Sequence, residues 1–499
     1  MDSETGQSVD TIETEVETVH IAIDHDEGTS TALSVPRNTK QRKKKKYPTK
    51  FNSSSFFKSY TEKIERRKSS GKTYKEQFGD TEQFEKKRDF MILLAKDLFH
   101  YGVPVHRLEY LLENVGESIG LPCSFFTLPN YMMISIKYKD DFKTYLLKQD
   151  QHFHMGKLSM LNDLCHELLN GRKTIEESIK ELTKIKNKPS ISKWYLLFLY
   201  PATSFILCLI GLNGSIEDAI ISALIGIFIG WFQVLAFFFP ITFGYLFEFI
   251  SALLSAIVAN IIHNFVKKQG ICVDTQKIVL GSLSMLLPGL SLTLSIVEIS
   301  TRNIVCGTIR LASSLFTALL LGFGLTFGDY IVAPNSPADC PNQTGIEWPW
   351  MCLLVPLAAF LICVLVEARR SQWVVMTFVS SVGFLVNSVL SNSGVFGNNV
   401  GATSVIATFT IGIISNLYAR FTRDISIAPI LCGIILLVPD NLGVRSSLEF
   451  LRFKDQGEPL ASLMLQISLS ITVGMFLSTL LVWPIKLKGP NSTTRFMIY

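Results

Sequence analysis

Apolar residues follow two regimes along the chain. Up to about residue 190 they alternate with charges; beyond it they run in blocks separated by short polar stretches. A membrane-spanning helix needs ~20 mostly apolar residues, and ten blocks approach that length: 194–212, 217–238, 243–262, 277–297, 306–331, 350–366, 373–391, 401–418, 427–444 and 460–484. Ahead of them the periods are those of a small mixed domain. RDFMILLAKDLFHYG has helical spacing and stops at Gly102, and VHRLEYLLENVGESIG gives a second helix ending at Gly120. SFFTL, YMMISIKY and FKTYLLK read as three strands between Pro-Asn and Lys-Asp-Asp turns, and helices 157–170 and 174–185 lead into the membrane.

The pattern predicts a mainly α membrane protein of about ten transmembrane helices in two inverted five-helix repeats, preceded by a small cytosolic α+β domain and a disordered tail. Its parts are a polar tail over 1–86, the α+β domain over 87–190, the repeats over 194–332 and 350–484, and a short C-terminal tail over 485–499. The tail buries nothing and need not fold. It starts acidic (Asp2, Glu4, Asp10, Glu13, Glu15, Glu17), with no apolar core of a signal peptide before Trp194. It then carries a basic run from Lys40 to Lys46. That run is a solvated tail or a contact for anionic lipid headgroups, where each basic residue contributes ~1 kcal/mol.

Charge sets the expected orientation. Lys184, Lys186, Lys188 and Lys193 precede the first block, and Arg369, Arg370, Arg420, Arg423, Lys486 and Lys488 fall on the same side when the helices are counted. The positive-inside rule puts that side, and the N-terminus, in the cytosol. The 333–349 loop falls opposite, lacks Lys and Arg, and holds the sequon Asn342-Gln343-Thr344. Lys267, Lys268, Arg445, Arg452 and Lys454 run against the rule. The nine cysteines are scattered, and no disulfide framework emerges. His152 and His154 form an HxH at a predicted strand edge without an acidic or Cys companion nearby, so no metal and no cofactor is expected. The domain has no Gly-rich phosphate loop and no paired nucleophile and base, so no enzyme is expected; no nucleic-acid partner is expected either.

Candidate chemistry concentrates where the blocks are interrupted. SMLLPGLSLTLSIVEIS places Pro288-Gly289 inside the fourth block and Glu298 at its end. ILLVPDNLGVRSSLEFL repeats the spacing with Pro439-Asp440 and Glu449, 151 residues on. Pro201, Phe205 and Cys208 recur as Pro356, Phe360 and Cys363 at an offset of 155, and Asn260 recurs as Asn416 at 156. Matches in one order along the chain indicate an internal repeat. Five helices per copy turn the second copy upside down, the inverted-repeat design of secondary transporters, whose sites lie near the midplane at broken helices. Proline removes a donor and clashes with the preceding turn, so each break should free backbone groups that must face protein or a wet cavity; a plain proline kink is the alternative. Glu298 and Glu449 are pathway groups or solvated helix ends. Glu248 interrupts the third block and Arg310 lies in the fifth, and an intramembrane Arg310 requires a carboxylate, from Glu248 or Glu298. Gly226-x-x-x-Gly230 reads as close helix packing.

These residues resemble a known family. Gly102, His106-Arg107-x-Glu109, Gly120-Leu121, the strand FFTLPNYMMISI, and LLPGLSLTLSIVEIS followed by Gly307-Thr-Ile-Arg310 look like the threonine/serine exporter family. The long polar N-terminus is most similar to the fungal branch of pheromone-regulated membrane proteins. The resemblance runs from about Lys87 to the end. It implies ten helices, a cytosolic domain and export of small hydroxylated amino acids driven by protons. By position it assigns the first family motif to Pro288, Gly289, Glu298 and Arg310, whereas Asp440 stands where the family usually has glycine. Asp440 is the candidate for proton coupling, with a helix cap as the alternative. The competing class is a membrane-anchored regulatory or mating-related protein on a transporter-derived scaffold. An intramembrane aspartyl protease would need Gly-x-Gly-Asp, and Thr326-Phe-Gly328-Asp329 lacks the first glycine.

Overall fold

The computed structural model describes residues 18–19, 81–138, 141–190, 193–238, 246–270, 272–332, 348–394, 396, 399–422, 424–438 and 460–482. The tail expected over 1–86 and the C-terminal tail over 485–499 lie almost wholly outside them.

The N-terminal domain begins with α1 (Thr81–His100), ahead of the expected Lys87, and α2 (Val105–Ser118). Each is followed by a glycine at positive φ, Gly102 at 83° and Gly120 at 72°. A side chain there would be strained, which is why the helical spacing stops at these residues. Strands β2 (Cys123–Leu128), β3 (Tyr131–Tyr138) and β4 (Asp141–Lys148) form an antiparallel meander, and the two-residue β1 (Thr18–Val19) pairs with the open edge of β4. Ile134 stands opposite Phe125 and Tyr145, so alternate residues of the meander turn one apolar face onto the helices. Helices α3 (Met155–Leu169) and α4 (Ile175–Lys186) complete the domain. Thr174 and Glu177 close a capping box at the start of α4.

Among the described residues each apolar block forms helix: α5 (Leu196–Gly211), α6 (Ile216–Phe238), α7 (Phe247–Lys267), α8 (Thr275–Ser282) and, after an interruption, α9 (Gly289–Ser300), α10 (Ile304–Val332), α11 (Trp348–Leu365), α12 (Trp373–Ser393), α13 (Val400–Thr422), α14 (Ile427–Leu437) and α15 (Leu460–Val482). Among the described residues six helices are long and apolar enough to cross a membrane: α6, α7, α10, α12, α13 and α15. Four are shorter. α5 and α11 carry the internal prolines Pro201 and Pro356. α9 and α14 adjoin the expected breaks.

Packing within the first five blocks pairs α5 with α6, α5, α6 and α7 with α8, and α7 with α10; in the last five, α11 pairs with α12, α11, α12 and α13 with α14, and α13 with α15. The close contacts follow the same correspondence. A Cβ on Gly324 of α10 would meet the Phe249 carbonyl, Ala252 and the Leu253 amide of α7; one on Gly474 of α15 would meet the Val405 carbonyl, Thr408 and the Phe409 amide of α13. Asn260 donates to Asp329 between α7 and α10 at 2.7 Å, and Asn416 to Thr479 between α13 and α15 at 3.5 Å. The Cys208 thiol faces the Lys277 carbonyl, and that of Cys363 faces Cys432. Gly226 and Gly230 meet Ser204, Pro201 and Tyr200, which makes them packing residues between α5 and α6.

The domain is not tethered loosely. One apolar cluster runs from Phe90, Leu98, Leu112 and Ile134 through Leu161 to Ile206, Val355, Ile362, Met376 and Leu431 in the membrane helices. Main-chain bonds fasten α3 to the α11–α12 turn, Met155 N–H to the Val366 carbonyl (3.0 Å) and Gly156 N–H to that of Glu367 (2.9 Å). A Cβ on Gly156 would lie 2.7 Å from the Glu367 carbonyl oxygen, so only glycine permits this approach. Around it, Ser159 donates to Asp424 (3.0 Å), Arg369 pairs with Asp163 (3.2 Å) and His154 with Glu367 (3.1 Å).

Candidate functional site

The break in the fourth block is present and longer than a kink. Helix α8 ends at Ser282, residues 283–288 are not helical, and α9 starts at Gly289 with Pro288 as its N-cap. A proline tolerates that position because its missing N–H would be unsatisfied in any case. One neighbouring helix and α9 itself take up part of the exposed main chain. Ser204 of α5 donates to the Ser282 carbonyl at 3.3 Å, and Thr293 donates to the Gly289 carbonyl at 3.0 Å while lying 3.4 Å from the Ser468 hydroxyl of α15. The Ser284 hydroxyl oxygen, inside the break, is buried without a hydrogen-bond partner among the described residues. Buried hydroxyls nearly always find one, so this stretch retains a spare polar group.

At the other end of α9, Glu298 is only 3 % exposed, which rules out a solvated helix end. Its carboxylate accepts from Arg310 Nε at 3.1 Å, and Arg310 Nη2 donates to the side-chain oxygen of Gln151 in the N-terminal domain at 2.7 Å. The positive φ of Arg302, 73°, turns the chain sharply enough between α9 and α10 to bring these side chains together. A narrow cleft opens beside the pair. Its domain wall includes Pro104, Gln151 and Phe153, and its membrane wall Leu294 of α9 and Leu431 of α14. Apart from Gln151, the lining around the ion pair is apolar.

Other expected residues are placed elsewhere. Glu248 lies in the first turn of α7, half-buried, and does not reach Arg310. The short turn from α9 to α10 holds Glu298 next to Arg310, so the alternative pairing with Glu248 is corrected. Asn260 and its partner Asp329 sit roughly 28 Å along α10 from Arg310 at 1.5 Å per residue. Both Asn260 and Asn416 bridge helices. Pro439, Asp440 and Glu449, with the sequon at Asn342, lie outside the described residues.

Two features were missed. Gln151 has no periodicity or motif to single it out. The HxH is also misplaced in the sequence reading: it lies in the segment before α3, where His154 caps the helix through Nδ1 and faces Glu367 through Nε2, a carboxylate 213 positions away. His152 packs edge-on against His100. Cys272, in the α7–α8 turn, is disulfide-bonded, a pairing that the scattered cysteine spacing did not reveal. In the domain, burial and the charge of Glu113 push the Glu109 carboxyl up to about 7.

Two family models match the chain. The threonine/serine exporter model, ThrE, matches residues 89–332, and a second model described as threonine/serine exporter, ThrE, matches residues 351–481. An uncharacterised protein of Schizosaccharomyces pombe is 26% identical over 80% of this chain and 56% of its own. The pheromone-regulated membrane proteins 10 of Pichia sorbitophila and Debaryomyces hansenii are each 24% identical over 79% of this chain and 42% of their own. The chain thus spans about half the length of the curated relatives it matches. No solved structure matches it.

Proposed function

The chain belongs to the threonine/serine exporter family, and we propose that it is a secondary active transporter exporting small hydroxylated amino acids by proton coupling. The observation that carries this reading is the matched set of contacts in the two halves. Gly324 against α7 and Gly474 against α13 meet the same three backbone and side-chain positions, and the Asn260 and Asn416 bridges follow them at the same offsets. Equivalent packing of two five-helix units supports an inverted repeat, because an odd number of crossings reverses the second copy. In that design the substrate site lies at paired broken helices. The break at Pro288, with its spare Ser284 hydroxyl, supplies one of the pair; the other falls at Pro439-Asp440, where Asp440 is the proton-coupling group.

The domain lies on the cytosolic side in this reading. The turns it touches, after α9, α11 and α13, share one side when the helices are counted, and the turn bearing Cys272 falls on the other. A disulfide is stable on an extracellular or lumenal face and rare in the cytosol.

Labelled threonine efflux from vesicles tests the proposal. Pro288→Ala with Gly289→Ala should mend the helix and abolish efflux without lowering expression, and Asp440→Asn should leave binding intact while removing the response to a pH gradient. Wild-type rates and pH response in both would put the site elsewhere. A second reading, a membrane-anchored regulator without transport, is favoured by the apolar core that the domain shares with the helices. It requires the wild-type protein to carry no threonine or serine in that assay.

A further inference from the structure

Gln151 is the only contact from the domain to the ion pair among the bonds of the described residues, and its chemistry is that of a substitute. Arg310 presents a fork of donors. Nε is taken by a carboxylate, Glu298, and Nη2 by a neutral amide oxygen. A second carboxylate would bind this position more strongly, since it adds a full opposite charge and can pair bidentately with the guanidinium. The amide oxygen is therefore displaceable where Glu298 is not: Glu298 is held on the same helical hairpin, while Gln151 comes from a separate unit.

Gln151 is also tied to the fastening of the domain. It lies in the segment 149–156, which Gln149 and the His152 amide anchor to His100 at the end of α1. A few residues later Met155 and Gly156 make the two main-chain bonds to the α11–α12 turn. Displacing Gln151 therefore acts on the stretch of chain that docks the domain, across the cleft between α9 of the first half and α14 of the second.

We propose that the cleft beside Arg310 and Glu298 is a cytosolic capture site for small α-amino acids, whose carboxylate displaces Gln151 from Arg310 and so loosens the domain from the α11–α12 turn. The ligand ammonium meets Glu298, so the zwitterion leaves both buried charges compensated. Phe153, Leu294 and Leu431 give the cleft apolar walls, and its small free volume requires Gln151 to withdraw before a ligand enters. This inference rests on the transporter reading and deepens it: the domain becomes a lid released by the molecule to be exported.

Hydrogen–deuterium exchange on the full chain in nanodiscs tests it. The probes are L-threonine and L-serine, with threonine methyl ester, which lacks the carboxylate, and ethanolamine as controls. The amides of Met155 and Gly156 should exchange faster with saturable dependence on either amino acid and remain unchanged with either control. Gln151→Ala should raise their exchange without ligand. Gln151→Glu, nearly isosteric, should shift half-maximal response upward by about tenfold or more, the equivalent of roughly 1.4 kcal/mol. An unchanged exchange with both amino acids, or an equal response to the ester, overturns the latch. Efflux measured on the same preparation separates the two ideas. Efflux without an exchange response overturns the latch and leaves the transporter, whereas a response without efflux sustains the latch and turns the protein into a sensor.

Discussion

Removing Arg310 should cost more than removing Glu298, and removing both should cost less than the sum. The two groups are 3.1 Å apart, and their side chains are 16 % and 4 % exposed. At an effective dielectric constant of ~20 such a pair attracts by on the order of 5 kcal/mol, offset by the desolvation of both ions. Truncating one partner of a buried pair typically costs ~3–5 kcal/mol because the other is stranded. The unequal exposure sets the order. Arg310→Met leaves a nearly inaccessible carboxylate, so its loss belongs at the upper end of that range. Glu298→Gln leaves a guanidinium that still reaches some water and keeps Gln151, so its loss belongs at or below the lower end. With both replaced no charge is stranded, and a coupling energy on the order of 2 kcal/mol should return. The assay is the yield of monodisperse protein together with its thermal unfolding midpoint in detergent, measured for the two single variants, the double variant and the control pair Arg310→Met with Glu248→Gln. Strict additivity of the first pair, or rescue by the Glu248 change instead, would refute the assignment.

Glu109 should make the fold weaker as pH rises. Its folded pKa of about 7 lies above the ordinary 4.5, so between those values the folded chain holds a proton that the unfolded chain releases, and stability declines across that window by on the order of 1–3 kcal/mol. Glu109→Gln should therefore melt higher than wild type at pH 8 and level with it at pH 4.5; an equal difference at both would contradict the cause given. Gly324→Val and Gly474→Val should destabilise alike, on the order of 1–3 kcal/mol, because a Cβ would stand 2.7 and 2.5 Å from the carbonyl oxygens of Phe249 and Val405. A loss at one position with none at the other would break the proposed equivalence of the halves. Cys272 should react with a membrane-impermeant maleimide from the extracellular or lumenal face only after reduction, and labelling without reductant would remove the support for that orientation.

Much of the local structure was legible because its causes are local. Gly102 and Gly120 stop helices whatever surrounds them, and Pro288-Gly289 interrupts a helix for reasons contained in two residues. The partner of Arg310 was narrowed to two carboxylates and then decided by chain geometry: a tight turn joins Glu298 to it, while Glu248 starts a different helix. What stayed hidden depends on distant parts of the chain meeting. Gln151 and Asp424 are ordinary polar residues until the domain docks. The main-chain bonds from Met155 and Gly156 leave no trace in side-chain identity, since every residue but proline offers the same N–H. The pairing of Cys272 was beyond reach because cysteine connectivity cannot be deduced from spacing. Block lengths were overestimated near the breaks, where hydropathy continues through residues 283–288 although the helix does not.

The seat of the N-terminal domain is written late in the chain. Its α3 is complete at Leu169, whereas Val366, Glu367 and Asp424, which receive it, follow some 200 to 250 residues afterwards. At ~5–20 residues per second of synthesis the interval is on the order of 10–50 s. Throughout that time the domain is finished on the ribosome with an apolar flank, around Met155 and Leu158, and no receptor yet made. On a crowded polysome another chain, further along, already offers one, so assembly between neighbouring nascent chains competes with assembly within each. The order of synthesis therefore keeps that flank uncovered until the α11–α12 turn has been made.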